Sequence, residues 1–226
     1  MRQPTWKRLL SYITEIHIES TSSEYNPHLY VSLRNGRYQL CTANAIYSFE
    51  DLYDNFSEAF KRIDLNKIVA QNVLILGFGL ASVPLILEKK LEKKYHYTGV
   101  EIDEEVIYLA NKYAMDELMS PFNIICADAY LYVMQSAEQF DLVIMDVFFD
   151  DVLPEKFEAP PFLERLKSLT RPEGLLMYNR LAFNQKDISR TKAFYEKTFS
   201  KVFDKSTFLE VKGNWMLLNR SDLVKR

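Results

Sequence analysis

Four carboxylates stand just past short apolar runs in the middle of the chain. Glu101 and Asp103 close Tyr97-Thr-Gly-Val-Glu-Ile-Asp103, Asp128 follows Phe122–Cys126, and Asp146 ends Phe140-Asp-Leu-Val-Ile-Met-Asp146. Upstream, the apolar run Val73–Leu76 breaks into Gly77-Phe-Gly79-Leu-Ala-Ser82. Glycines there let the backbone turn sharply and approach a ligand with no Cβ in the way. Glu101 lies 22 residues beyond Gly79, the spacing at which an acid on the second strand accepts both hydroxyls of a ribose. An acid and a backbone amide after the third strand, Asp128 and Ala129, suit the amino group of adenine. Asp146 then points a carboxylate at the reactive end. The glycine pattern is G-x-G-x-x-S, because Ser82 replaces the third glycine. A tight strand-to-helix turn without a ligand would also use it. Asp103, before Glu104-Glu105, reads as well as a helix cap.

From Val73 onward, strands and helices must alternate to hold these acids. Strands are predicted at Val73–Leu76, Tyr97–Ile102, Phe122–Cys126, Phe140–Asp146 and Leu175–Asn179, with helices over 81–91, 104–116, 129–135, 161–169 and 188–198. Two closing strands, Val202–Glu210 and Asn214–Asn219, meet near Gly213. The expectation is an α/β fold: a seven-stranded, mostly parallel Rossmann-like sheet with a closing antiparallel hairpin. Ligands of such sheets sit outside the carboxyl ends of the strands. Residues 1–65 differ. Tyr12–Glu19 alternates as a strand does, and His28–Arg34, Asn35-Gly36 and Arg37–Ala43 spell a β-hairpin, since both turn residues tolerate positive φ. Ser48–Arg62 reads as a linking helix, with Ser48 as cap and Leu52, Phe56 and Phe60 as its buried stripe.

Composition excludes several functions. Net charge is −3, so neither nucleic acid nor an anionic membrane is attracted in bulk. No apolar run is long enough to cross a bilayer, and no signal peptide is expected. Cys41 and Cys126 form no disulfide framework or zinc pattern, and His17, His28 and His96 lack ligand spacing. The expectation is a cytoplasmic protein without a metal. Lys89, Lys90, Lys93 and Lys94 are interleaved with Glu88 and Glu92, as on a solvated helix end.

Arg-Asn-Gly-Arg37, Val-Glu-Ile-Asp-Glu104, Ala-Asp-Ala129 and Asp-Leu-Val-Ile-Met-Asp146 together resemble the spermidine synthase (polyamine aminopropyltransferase) family. That family has the class I methyltransferase fold. The similarity runs from about residue 12 to 220, and Val-Glu-Ile-Asp-Glu is its most specific piece. It implies that residues 66–226 form the adenosyl-sulfonium-binding domain, behind a small β-rich segment over 1–65. It implies further that Gly77, Gly79, Glu101, Ile102, Asp128 and Ala129 hold S-adenosylmethionine or its decarboxylated form, and that Asp146 is the general base on an attacking amine. Tyr53, Phe148, Phe149, Asp150 and Asp151 would line the acceptor pocket, and the assembly would be a homodimer. The chain departs from the family in three places. Leu80 or a neighbour stands where the glycine loop carries an aspartate, Tyr53-Asp54-Asn55 lacks the glutamate of the polyamine grip, and Asp146-Val-Phe-Phe-Asp150 displaces the second acid by one. Three activities remain open: aminopropyl transfer to an amine, methyl transfer to a small molecule, and a non-catalytic member acting as a binding module. A nicotinamide oxidoreductase fits less well, because of Asp128 and the closing hairpin.

Overall fold

The computed structural model describes residues 3–43, 45–149 and 152–225; the predicted acceptor acids Asp150 and Asp151 lie outside them. A short helix, α1 (Thr5–Leu10), precedes a four-stranded antiparallel sheet in sequential order: β1 (Ile16–Thr21), β2 (Leu29–Arg34), β3 (Arg37–Cys41) and β4 (Ile46–Ser48). The expected hairpin joins β2 to β3. Asn35 and Gly36 both take positive φ, 51° and 72°, as a type I′ turn needs.

The linking helix forms only in part. A 3-10 turn, Glu50–Leu52, leads to α2 (Asp54–Lys61). Ser48 does not cap it. Its hydroxyl accepts from the Leu80 amide and bonds to the Ser82 hydroxyl instead, while Ser82 accepts from the Phe49 amide. A serine read as a local cap thus ties the N-terminal sheet to the glycine loop. Phe56 and Phe60 are buried as the stripe predicted.

The second sheet holds β5 (Asn72–Leu76), β6 (His96–Glu101), β7 (Phe122–Cys126), β8 (Phe140–Met145), β9 (Thr170–Leu181), β10 (Thr207–Val211) and β11 (Asn214–Leu218), in the order β10-β11-β9-β8-β5-β6-β7. Between them run α3 (Ser82–Lys89), α4 (Glu104–Tyr113), α5 (Ala129–Gln135), α6 (Pro160–Leu169) and α7 (Gln185–Phe194). Strands β5 to β9 pair in parallel, and β10 and β11 close the edge antiparallel. The strand order reverses between β5 and β8, so the switch point lies at Gly77 and Asp146. β9 is longer than predicted, because Thr170 already pairs with Phe140. β10 starts later than predicted, because Val202 and Phe203 pack in the core after a π turn (Tyr195–Phe199) that extends α7.

The parallel strands are buried on both faces: every residue of β8 is buried. One apolar cluster joins Leu29, Val31 and Leu40 of the N-terminal sheet and Phe56 and Phe60 of α2 to Val73 and Ile75 of β5. A second fills the opposite face around Leu74, Val143, Phe162 and Tyr178. Among the described residues no helix is long and apolar enough to cross a membrane, and no group of His, Cys, Asp and Glu could hold a metal ion.

Candidate active site

Gly77 turns the chain at the tip of β5 with φ +83°, and a Cβ there would lie 2.2 Å from the Asp146 carbonyl oxygen. Only glycine lets the β5 and β8 tips meet this closely. The parallel ladder continues past the strands: the Gly77 amide donates to Val100, Ala127 to Glu101 and Asp146 to Leu76. Glu101, Asp128 and Asp146 are thereby brought to line one cavity of about 840 Å³. Tyr53, Gly77, Gly79, Ile102, Ala129, Phe148 and Phe149 line the same cavity. Leu80 does not, being wholly buried in the core.

Glu101 accepts from the Gly79 amide through one oxygen (3.2 Å) and from the Ile102 and Asp103 amides through the other. Burial raises its pKa, the Gly79 and Asp103 amides pull it down, and the Asp103 charge adds to the rise. Asp103 itself faces away from this chemistry. One oxygen caps α4 through the Glu105 amide, and the other accepts from Ser23 and Asn26. It is 1% exposed. Tyr47 donates to Asn26 in turn, so Asp103 bolts the N-terminal sheet to the α/β body.

Asp128 caps α5 by accepting from the Tyr130 and Leu131 amides. Its second oxygen accepts from Lys156 at 2.6 Å. Burial pushes this carboxyl up, but Lys156 and the Tyr130 amide outweigh burial and leave it below the usual range. Lys156 lies over the rings of Tyr130 and Phe157. Two residues on, Glu158 pairs with buried Arg180 and with Arg190.

Asp146 is recessed at the cavity floor. Burial raises its pKa to about 7, the Asn179 side chain opposes the rise, and Glu101 adds to it. The Asn179 amide donates to it at 2.7 Å and accepts from Asn214 at 2.9 Å. Burial pushes the Tyr53 hydroxyl up strongly, and the Asp146 charge adds to that effect. A carboxylate raised toward neutrality in a cavity partly walled by Tyr53, Phe148 and Phe149 is equipped to take a proton from an incoming nucleophile. Phe149 is in ring contact with Tyr25 of the N-terminal part, so both units wall the cavity.

Sequence reasoning missed Asn179, Asn214 and Lys156. Asn179 carried a faint signal, a polar residue ending the apolar run Leu175–Tyr178 beside the strand of Asp146. Lys156 carried none, because its partner is 28 residues away, with α5 and β8 between them.

Residues 58–213 match the family model described as the spermine/spermidine synthase domain. The polyamine aminopropyltransferase of Vibrio vulnificus is 26% identical over 137 residues, covering 59% of this chain and 45% of that protein. The chain therefore spans less than half the length of this relative. A probable spermidine synthase from Corynebacterium glutamicum shares the fold, with a TM-score of 0.72 at 16% identity over 88% of this chain and 78% of that one. So does human methyltransferase-like protein 13 in complex with SAH, with a TM-score of 0.61 at 18% identity over 76% and 83%.

Proposed function

The chain belongs to the spermine/spermidine synthase domain family, and from that premise we propose that it is a transferase that binds an adenosyl-sulfonium donor and moves an aminopropyl group to an amine. The observation that carries this is Asp146, a recessed carboxylate raised toward neutrality in one cavity with Glu101 and Asp128. Glu101 and Ile102 hold the ribose, Asp128 and Ala129 the adenine, and Gly77 and Gly79 let the donor lie close to the backbone. Asp146 removes a proton from the acceptor ammonium. The freed amine attacks the carbon next to the sulfonium, the carbon–sulfur bond breaks, and its electron pair stays on sulfur as the neutral thioether. The sulfonium is already an activated electrophile, so alignment and proton removal supply most of the catalysis. Tyr53, Phe148 and Phe149 form the acceptor wall.

The decarboxylated donor suits this site better than S-adenosylmethionine. Asp146 is already destabilised as an anion, and a donor carboxylate beside it would add like-charge repulsion. One observation favours methyl transfer as a second reading: Leu80, where an acid would grip the aminopropyl ammonium, is buried in the core. A thermal-shift titration separates the two. S-adenosylmethionine, its decarboxylated form, methylthioadenosine and S-adenosylhomocysteine are compared side by side. A ligand at a hundred times its dissociation constant adds about 2.7 kcal/mol. Preference for the decarboxylated donor and methylthioadenosine is the expected result. Preference for the amino-acid-bearing pair would establish methyl transfer, and no shift with any of the four would overturn donor binding and favour the non-catalytic reading. The proposed assembly is a homodimer through the N-terminal part, where Trp6, Leu9 and Ile13 are exposed. A monomer of 26.6 kDa in light scattering would refute it.

A further inference from the structure

The floor of the cavity is built from three adjacent strands, and their polar tips form one chain of hydrogen bonds. Tyr178 lies opposite Met145, which sets Asn179 beside Asp146. Met216 lies opposite Asn179 and Leu181 opposite Asn214, so the two asparagines are diagonal neighbours on one face. Asn214 leaves the turn at Lys212 and Gly213, both with positive φ. Its amide nitrogen donates to the Asn179 oxygen, and the Asn179 nitrogen donates to Asp146.

We propose that Asn214 is a positioning residue, which fixes the Asn179 amide with its NH2 group toward Asp146 and so holds Asp146 as a charged proton acceptor.

The inference rests on the reading of Asp146 as the general base. Its physical ground is that an asparagine amide carries a donor and an acceptor of nearly equal size, so a flip exchanges them at no steric cost. Asn179 is 1% exposed, so bulk water cannot choose the orientation. Its neighbours must. An ionised carboxylate only accepts, so it needs the Asn179 nitrogen, and the Asn179 oxygen then needs a donor on its other side. Asn214 supplies that donor. An acceptor at position 214 reverses the chain. The Asn179 oxygen then faces Asp146, which satisfies it only as the protonated acid. Two described titratable groups interact with Asp146, Glu101 at the β6 tip and Tyr53 after the 3-10 turn. Lys212 and Asp187 line the same cavity.

The test compares the wild type with Asn214→Asp and Asn214→Leu. The Asp146 carboxyl is titrated by carbon-13 NMR, its signal assigned by its loss in Asp146→Asn, beside the pH profile of kcat/KM for amine transfer. Asn214→Asp is expected to raise the Asp146 midpoint and the acidic limb by about one pH unit or more. Asn214→Leu, which removes the donor without adding a charge, moves both in the same direction by a smaller step. Asn214→Gln, which keeps a donor, restores the wild-type midpoint. If the Leu variant loses stability or rate while its midpoint stays at the wild-type value, Asn214 is merely structural and the proposal fails. If Asn214→Asp does not fold, the Leu and Gln variants carry the comparison. The NMR midpoint needs no substrate. A midpoint that moves in a protein without transferase activity would sink the functional reading and leave the hydrogen-bond relay standing.

Discussion

Asp146 meets two opposed demands. Its place at the β8 tip, where Gly77 lets two strand ends touch, half-buries a charge, and the lost solvation lifts its pKa to about 7. An acid whose folded pKa lies above its unfolded value binds more protons when folded between those two values. Its contribution to stability is therefore largest below about pH 4 and is lost as pH rises through about 7. Asp146→Asn removes that loss, because the new side-chain oxygen still accepts from Asn179. The variant is expected to be more stable than the wild type at pH 8 by about 1–3 kcal/mol, and by less than half as much at pH 5. Its turnover should fall by about a hundredfold or more, with donor affinity within a few-fold. Equal melting at both pH values would show that Asp146 is not a buried acid in solution, and equal turnover would remove it as the base. Glu101, Asp128 and Asp146 were legible in the sequence because an acid directly after an apolar run marks a strand tip. Asn179 and Lys156 were not, since their partners are set by which strands and turns become neighbours.

The elements are fastened at points that their own sequences do not advertise. Asp103 reads as the cap of α4, and it is one. Its other oxygen also receives Ser23 and Asn26 from the turn between β1 and β2. Ser48 reads as a helix cap, yet it serves the glycine loop. In both cases a short polar side chain took a long-range partner from across the boundary between the N-terminal sheet and the α/β body, which a local reading cannot foresee. Removing the Asp103 carboxylate strands the buried Asn26 side chain, the half-buried Ser23 hydroxyl and the Glu105 amide at the start of α4 together. Asp103→Ala is expected to cost about 2–5 kcal/mol in urea unfolding, and Ser23→Ala about 1 kcal/mol. The double variant should cost less than the two losses combined, since the residues share a bond. Strict additivity would mean that Ser23 and Asp103 do not meet in solution. The hairpin at Asn35-Gly36 was legible because its φ requirement is local, and α1 was not, being short and with no buried residue to mark a stripe.

At the scale of the whole chain, the alternation of strands and helices was enough to read the parallel sheet, because right-handed crossovers leave few arrangements. The pattern does not settle whether the break near residue 65 divides two independently stable units. The packing argues that it does not. The apolar cluster under β5 takes Leu29, Val31 and Leu40 from one side of the break and Val73, Ile75 and Met216 from the other. The end of the chain straps the break as well, with Ile63 bridged to Val224 and the Asp64 amide donating to Leu223. A fragment of residues 66–226 would expose one face of β5 and leave Leu223, fully buried in the whole chain, without its cover. The full chain is therefore expected to unfold in one cooperative step, with far-ultraviolet circular dichroism and Trp215 fluorescence coincident in a Trp6→Phe background. The fragment should keep helical signal but lose the cooperative transition, as a collapsed chain without fixed packing does. A fragment that melts cooperatively near the temperature of the full chain would make residue 65 a true domain boundary. Donor binding by the 66–226 unit alone could then be measured, and residues 1–65 would be needed only to close the acceptor side of the cavity through Tyr25, Tyr47 and Tyr53.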